Sequence, residues 1–145
     1  MKEKFRLSED YIQFEEGFDT WEEAIIKGSL PLLKGGQIEE SYISGMIESI
    51  KEHGPYIIIA PNIALPHARP ELGSLEIGFS IMKTKKPVKF SGNNEATLFI
   101  TLSCVDSDTH LDMLSSIVQV LSDPIKHDQL FDANNKEAII GVFNN

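Results

Sequence analysis

Apolar positions along the chain fall into two kinds of run, and their order predicts an α/β fold. Between residues 39 and 53, Ile43, Met46, Ile47 and Ile50 recur at helical spacing, and Gly54-Pro55 supplies a stop. Residues 56–60 are an apolar run without alternation, and residues 96–104 are a second long, largely apolar run, the pattern of strands buried on both faces. Residues 11–15 and 75–82 read as two more strands. The second of these should end at the basic stretch Lys83-Thr84-Lys85-Lys86-Pro87, with Val88 and Phe90 as a short continuation. Thr20-Trp21-Glu22-Glu23 is a capping-box signature. The helix it opens should bury Trp21, Ala24, Ile25 and Leu32, and Pro31 should kink or split it.

Three later helices are expected. Ser107 or Asp108 should cap the first, whose apolar positions are Leu111, Leu114, Ile117, Val118 and Leu121. Asp123-Pro124 opens the second. Asn134-Asn135 opens the third, with Ala138, Ile139 and Val142 facing in. Helices alternating with buried strands predict one α/β domain over residues 1–145, a mixed β-sheet flanked by helices on both faces.

Composition narrows the class without naming a chemistry. With 145 residues, 41% hydrophobic and 24% charged, the chain suits one globular core and is short for two typical domains. No apolar run is long enough to span a bilayer. Lys2, Lys4 and Arg6 are followed by acidic residues and by no signal-peptide apolar core. The single cysteine, Cys104, fits a reducing cytoplasm, and a buried inert thiol is its plain reading. A net charge of −9 argues against nucleic-acid binding and favours basic partners.

Chemistry concentrates at His67. It stands between Pro66 and Pro70, which stiffen the backbone at the end of a strand, and a stiff loop on a rigid element is a natural seat for function. His110 lies in the first turn of a helix, and an ordinary first-turn polar residue is its plain reading. His53 reads as a helix C-terminal residue and His127 as surface. A zinc hydrolase built on His67, His110 and Asp106 would lack the usual ligand spacing. A cysteine hydrolase pairing Cys104 with either histidine would lack a nucleophile turn.

Glu52, six intervening residues, then Ile59-Ala60, Ile63-Ala64-Leu65-Pro66-His67-Ala68 resembles the phosphorylation-site signature of a known family. That family is the IIA component of the bacterial sugar phosphotransferase system, fructose–mannitol superfamily. The fuller run from Gly54-Pro55-Tyr56 to Arg69-Pro70-Glu71 is similar to its ascorbate-type branch. The resemblance implies the mannitol/fructose-type IIA fold and a phosphocarrier in the cytoplasm. His67 would take phosphoryl on Nε2 from phosphorylated HPr and pass it to a cysteine of a IIB protein during uptake of L-ascorbate or a related sugar. His110 would help stabilise the phosphoryl group. No metal or cofactor is implied, nor membrane insertion, and a IIC transporter would be reached through IIB. A regulatory module phosphorylated on the same histidine is the alternative, and the lack of an attached DNA-binding domain favours transport. Many relatives carry an arginine on the helix before the motif, where this chain reads Ile50-Lys51-Glu52-His53. Lys51 and Arg69 are the candidates to replace it, although lysine cannot reproduce a bidentate guanidinium contact. An apolar ring around His67 is expected from Ile63, Leu65 and Leu72, with acidic residues towards the rim.

Overall fold

A computed structural model describes residues 5–144. The strands are β1 (Ile12–Glu15), β2 (Ile58–Ala60), β3 (Asn62–Ala64), β4 (Gly78–Lys89) and β5 (Glu95–Ser103). The helices are α1 (Trp21–Lys34), α2 (Glu40–His53), α3 (Ser107–Ser122), α4 (Pro124–Asp132) and α5 (Lys136–Asn144). The strands form one mixed sheet in the order β1-β4-β5-β3-β2. The pairs β1–β4 and β3–β5 are parallel, whereas β4–β5 and β2–β3 are antiparallel.

The pleat sends alternate side chains to opposite layers. Phe79 and Ile81 of β4 and Leu98, Ile100 and Leu102 of β5 pack with Met113, Ile117 and Phe143 from α3 and α5. Met82 and Phe99 face the other way, onto Ile25 and Leu32 of α1 and Tyr42 and Met46 of α2. Helices therefore cover both faces of the sheet, as the alternation of runs requires. Polar groups in the α1 layer find partners: Ser80 Oγ donates to the Gly28 carbonyl at 2.9 Å, and Ser103 Oγ to the Glu76 carbonyl at 2.7 Å.

Several expectations are corrected. The run at 56–60 is not a strand buried on both faces. Only its last three residues form β2, at the sheet edge, with Ile57 fully buried and Ile59 45% exposed. Leu75 to Ile77 are not strand, and the basic stretch does not end β4, which runs unbroken through Lys83 to Lys89. Lys83 tolerates this place because its Nζ donates to the carbonyls of Leu130, Phe131 and Ala133 at 2.8, 2.8 and 2.6 Å. These lie where α4 ends and its last carbonyls want donors. The pairing with β5 slips in register between Lys83 and Val88.

Pro31 neither splits nor interrupts α1. It stands in the last turn, so one backbone bond is lost close to where the helix stops anyway, and Pro31 and Leu32 are both buried. Thr20 caps α1 by accepting from Glu23 N at 3.3 Å, but the Glu23 carboxylate meets the threonine hydroxyl at 3.2 Å. Asp106, not Ser107 or Asp108, caps α3, accepting from Thr109 N at 2.8 Å. The buried stripe of α3 is Met113, Ile117 and Val120, while Leu111 and Val118 are exposed. Ala138 is exposed as well, and Ile139, Val142 and Phe143 face in. Asp123 and Asn135 cap as their sequence context implies, on Ile125 N (2.9 Å) and Ala138 N (2.8 Å).

Candidate active site

The chain reaches His67 through a tight hairpin. Ala60 pairs with Ile63, leaving Pro61 and Asn62 as the turn, and Asn62 has φ 68°. Proline followed by a residue at positive φ is the type II pattern. Beyond β3 the backbone stays tied on both sides: Leu65 N donates to the Ile57 carbonyl at 2.8 Å and Leu102 N to the Pro66 carbonyl at 3.0 Å. After Arg69, a 3-10 turn over Pro70–Leu72 folds back on α2, where Ser41 Oγ donates to the Leu72 carbonyl at 2.7 Å. Gly73 completes the turn at φ +139°, and a Cβ there would lie 3.0 Å from Tyr42 N, so this position needs glycine.

His67 is half-buried, and its Nδ1 lies 2.6 Å from the Leu65 carbonyl oxygen. A carbonyl only accepts, so Nδ1 carries the hydrogen, and in the neutral ring Nε2 keeps the lone pair. The backbone thus decides which ring nitrogen keeps its lone pair. His110, also half-buried, stands with its ring centroid 5.7 Å from that of His67. Burial, and then the neighbouring His67, push the His110 pKa below the usual histidine value. Both terms act against a second positive charge, so His110 is neutral at pH 7. It sits at the N-terminal end of α3, whose dipole works the same way and favours an incoming anion.

These groups open on a cavity of about 1020 Å³. His67, His110 and Arg69 all line it, together with Tyr56, Glu52 and His53. Lys51 does not. It lies on the exposed flank of α2 with Nζ 4.0 Å from a Glu48 carboxylate oxygen. A helix turns about 100° per residue, so Ser49, Glu52 and His53 face the cavity while Lys51 faces away. Cys104 lines the cavity floor, and burial, helped by Asp106, pushes its thiol up to about 11, which leaves it protonated. Among the described residues, no three His, Cys, Asp or Glu side chains converge as metal ligands would.

The expected apolar ring is placed differently. Ile63 and Leu65 are buried in the core and do not line the cavity, because the tethers to Ile57 and Leu102 hold that segment inside the sheet. Leu72 packs against α2. The exposed apolar residues at the cavity are Tyr56, Val105 and Leu111. Tyr42 and Tyr56 were hidden from a reading by periodicity. Tyr42 is four residues before Met46 on the same stripe, and Tyr56 follows a helix stop, where it reads as the first strand residue. Tyr42 Oη donates to the Leu102 carbonyl at 2.8 Å, and burial raises its pKa to about 12, so it remains a hydroxyl.

Residues 6–145 match the family model described as phosphoenolpyruvate-dependent sugar phosphotransferase system, EIIA 2. The ascorbate-specific EIIA component of Escherichia coli K12 is 31% identical over 146 residues, covering 98% of this chain and 95% of that protein. The mannitol-specific cryptic phosphotransferase enzyme IIA component of the same strain is 36% identical over 123 residues, covering 84% of each. The solution structure of the Escherichia coli mannitol-specific cryptic IIA superposes with a TM-score of 0.88 at 31% identity, covering 97% of this chain and 95% of that one.

Proposed function

Because the chain belongs to the type 2 EIIA family of the phosphoenolpyruvate-dependent sugar phosphotransferase system, we propose that His67 is its phosphoryl acceptor. The observation that carries this reading is the Nδ1–H bond to the Leu65 carbonyl, which leaves the lone pair on Nε2 of a ring whose centroid is 5.7 Å from that of His110. The donor is phosphorylated HPr. The Nε2 lone pair attacks phosphorus, the donor's N–P bond breaks, and its electron pair returns to the donor imidazole. In the second step a IIB cysteine thiolate attacks the same phosphorus, and the pair of the Nε2–P bond returns to His67. No proton has to move at Nε2 in either direction.

Phosphorylation makes the His67 ring cationic, and Nδ1–H then becomes a charge-assisted donor to the Leu65 carbonyl, about twice as strong as a neutral one. The intermediate is stabilised where charge develops. Neutral His110 supplies a ring nitrogen to the phosphoryl oxygens, and Arg69 supplies the guanidinium that the family's helix arginine would provide. Arg69 is favoured over Lys51 because it lines the cavity. Transfer takes place in the cytoplasm, and the IIC transporter is reached through IIB. Among the described residues no helix is long and apolar enough to cross a membrane. The full-length match to an ascorbate-specific relative supports L-ascorbate as the sugar served, with a mannitol-type polyol as the competing substrate.

The deciding experiment incubates the protein with enzyme I, HPr and phosphoenolpyruvate, each omitted in turn, and maps the phosphopeptide. One acid-labile phosphate on His67 that requires HPr is expected, and a phosphate elsewhere or none overturns the reading. Discharge by ascorbate-type but not mannitol-type IIB would assign the sugar branch, and failure with every IIB would point to a regulator.

Single substitutions divide the supporting roles. His110→Ala and Arg69→Ala should each slow transfer by roughly tenfold or more, the scale of losing one group that stabilises transition-state charge. Lys51→Ala should transfer at the wild-type rate. A slow Lys51 variant beside a normal Arg69 variant would reverse the assignment of the cation.

A further inference from the structure

Two tyrosine hydroxyls hold one peptide group at the heart of the site. The carbonyl of His67 accepts from Tyr56 Oη at 2.5 Å, and the N–H of Ala68 donates to Tyr42 Oη at 3.0 Å. Carbonyl and N–H belong to the same peptide, the one that leaves His67. Tyr42 Oη in turn donates to the Leu102 carbonyl of β5, so one end of the grip is anchored in the centre of the sheet.

We propose that Tyr56 is a positioning residue for phosphoryl transfer, which with Tyr42 clamps this peptide so that His67 keeps Nδ1 on the Leu65 carbonyl and presents Nε2. The proposal rests on the reading of His67 as acceptor. A peptide free to rotate would change the His67 backbone angles and swing its Cα–Cβ bond, and the 2.6 Å contact with Leu65, only two residues away, would not survive. Loss of that contact frees the other tautomer, in which Nε2 carries the hydrogen and cannot attack. In-line transfer tolerates little displacement of the attacking atom.

The two tyrosines differ in what else they do. Tyr42 is 1% exposed and ties α2 to β5, so its loss disturbs the fold. Tyr56 is 38% exposed, and the His67 carbonyl could bond to water in its absence. Loss of the Tyr56 hydroxyl should therefore cost little stability, which leaves orientation as its contribution. Its ring stands perpendicular to the imidazole at 5.3 Å and, with the Leu65 carbonyl and the His110 ring, restricts how that imidazole can turn.

Tyr56→Phe keeps the ring at the cavity rim and removes only the hydroxyl, and it is tested in two ways. At saturating phosphorylated HPr the transfer rate should fall roughly tenfold while KM for that donor stays unchanged and Tm shifts by no more than about 2 °C. In the unphosphorylated protein, ¹⁵N correlation spectra should show His67 of the wild type in the Nδ1–H form and a mixture of tautomers in the variant. A wild-type rate, an effect on KM alone, or an unchanged single tautomer overturns the clamp. If the wild type itself takes no phosphate on His67, the acceptor reading fails and the kinetic role with it. The tautomer comparison still decides whether the clamp exists, so the two failures are distinguishable.

Discussion

His67→Gln protein should gain no mass on incubation with enzyme I, HPr and phosphoenolpyruvate, while its circular dichroism and Tm stay close to those of the wild type. Glutamine keeps a polar group of similar reach but has no nucleophilic nitrogen, since its amide lone pair is delocalised into the carbonyl. His67 is half-buried and makes one hydrogen bond through its ring, so the substitution lacks the features that give large stability losses. His110 should not take over. It lies near His67 and lines the same cavity, yet the role proposed for it is to serve the phosphoryl oxygens and not to attack in line. Undiminished mass gain, or a phosphate recovered on His110, would defeat this expectation.

Tyr42→Phe should destabilise the protein by on the order of 2 kcal/mol, because two backbone groups lose their partner at once. The N–H of Ala68 loses its acceptor and the Leu102 carbonyl its donor, at a residue that is 1% exposed. For a chain of this size that corresponds to a Tm lower by roughly 6 °C. The ring stays, so the packing of α2 on the sheet is preserved and the loss measures the hydroxyl. A thermal melt superimposable on that of the wild type would mean that water replaces the hydroxyl without penalty. The tie that Tyr42 makes between the Ala68 backbone and β5 would then be dispensable to stability.

Most of the architecture could be read from local rules. Period and stop signals placed α2, capping chemistry placed the starts of α1, α4 and α5, and a long, largely apolar run placed central β5. Errors arose where the answer depends on what lies beyond the segment. An apolar run without alternation looks the same at the centre and at the edge of a sheet. Ile59 is exposed on β2, which lies at the edge of the sheet among the described residues. Lys83 looks like the end of a strand until the carbonyls at the end of α4 are seen to receive it.

The site divides in the same way. His67 was legible from its proline frame and motif, and His110 from its place at a helix start. Arg69 could be told from Lys51 only by the direction each takes from its element. Tyr42 and Tyr56 carry no motif of their own, since their roles lie in hydroxyls meeting backbone atoms 26 and 11 residues away.

The partner of His67 Nδ1 has a consequence for how this site tolerates change. Many histidines are oriented by a carboxylate, which a single mutation removes and which acid protonates. Here the acceptor is the main-chain oxygen of Leu65. Every residue type carries that oxygen, and it does not titrate. Drift at position 65 can alter packing but leaves the acceptor in place. Which ring nitrogen keeps its lone pair is therefore inherited with the path of the backbone, and mutation reaches it only by bending that path.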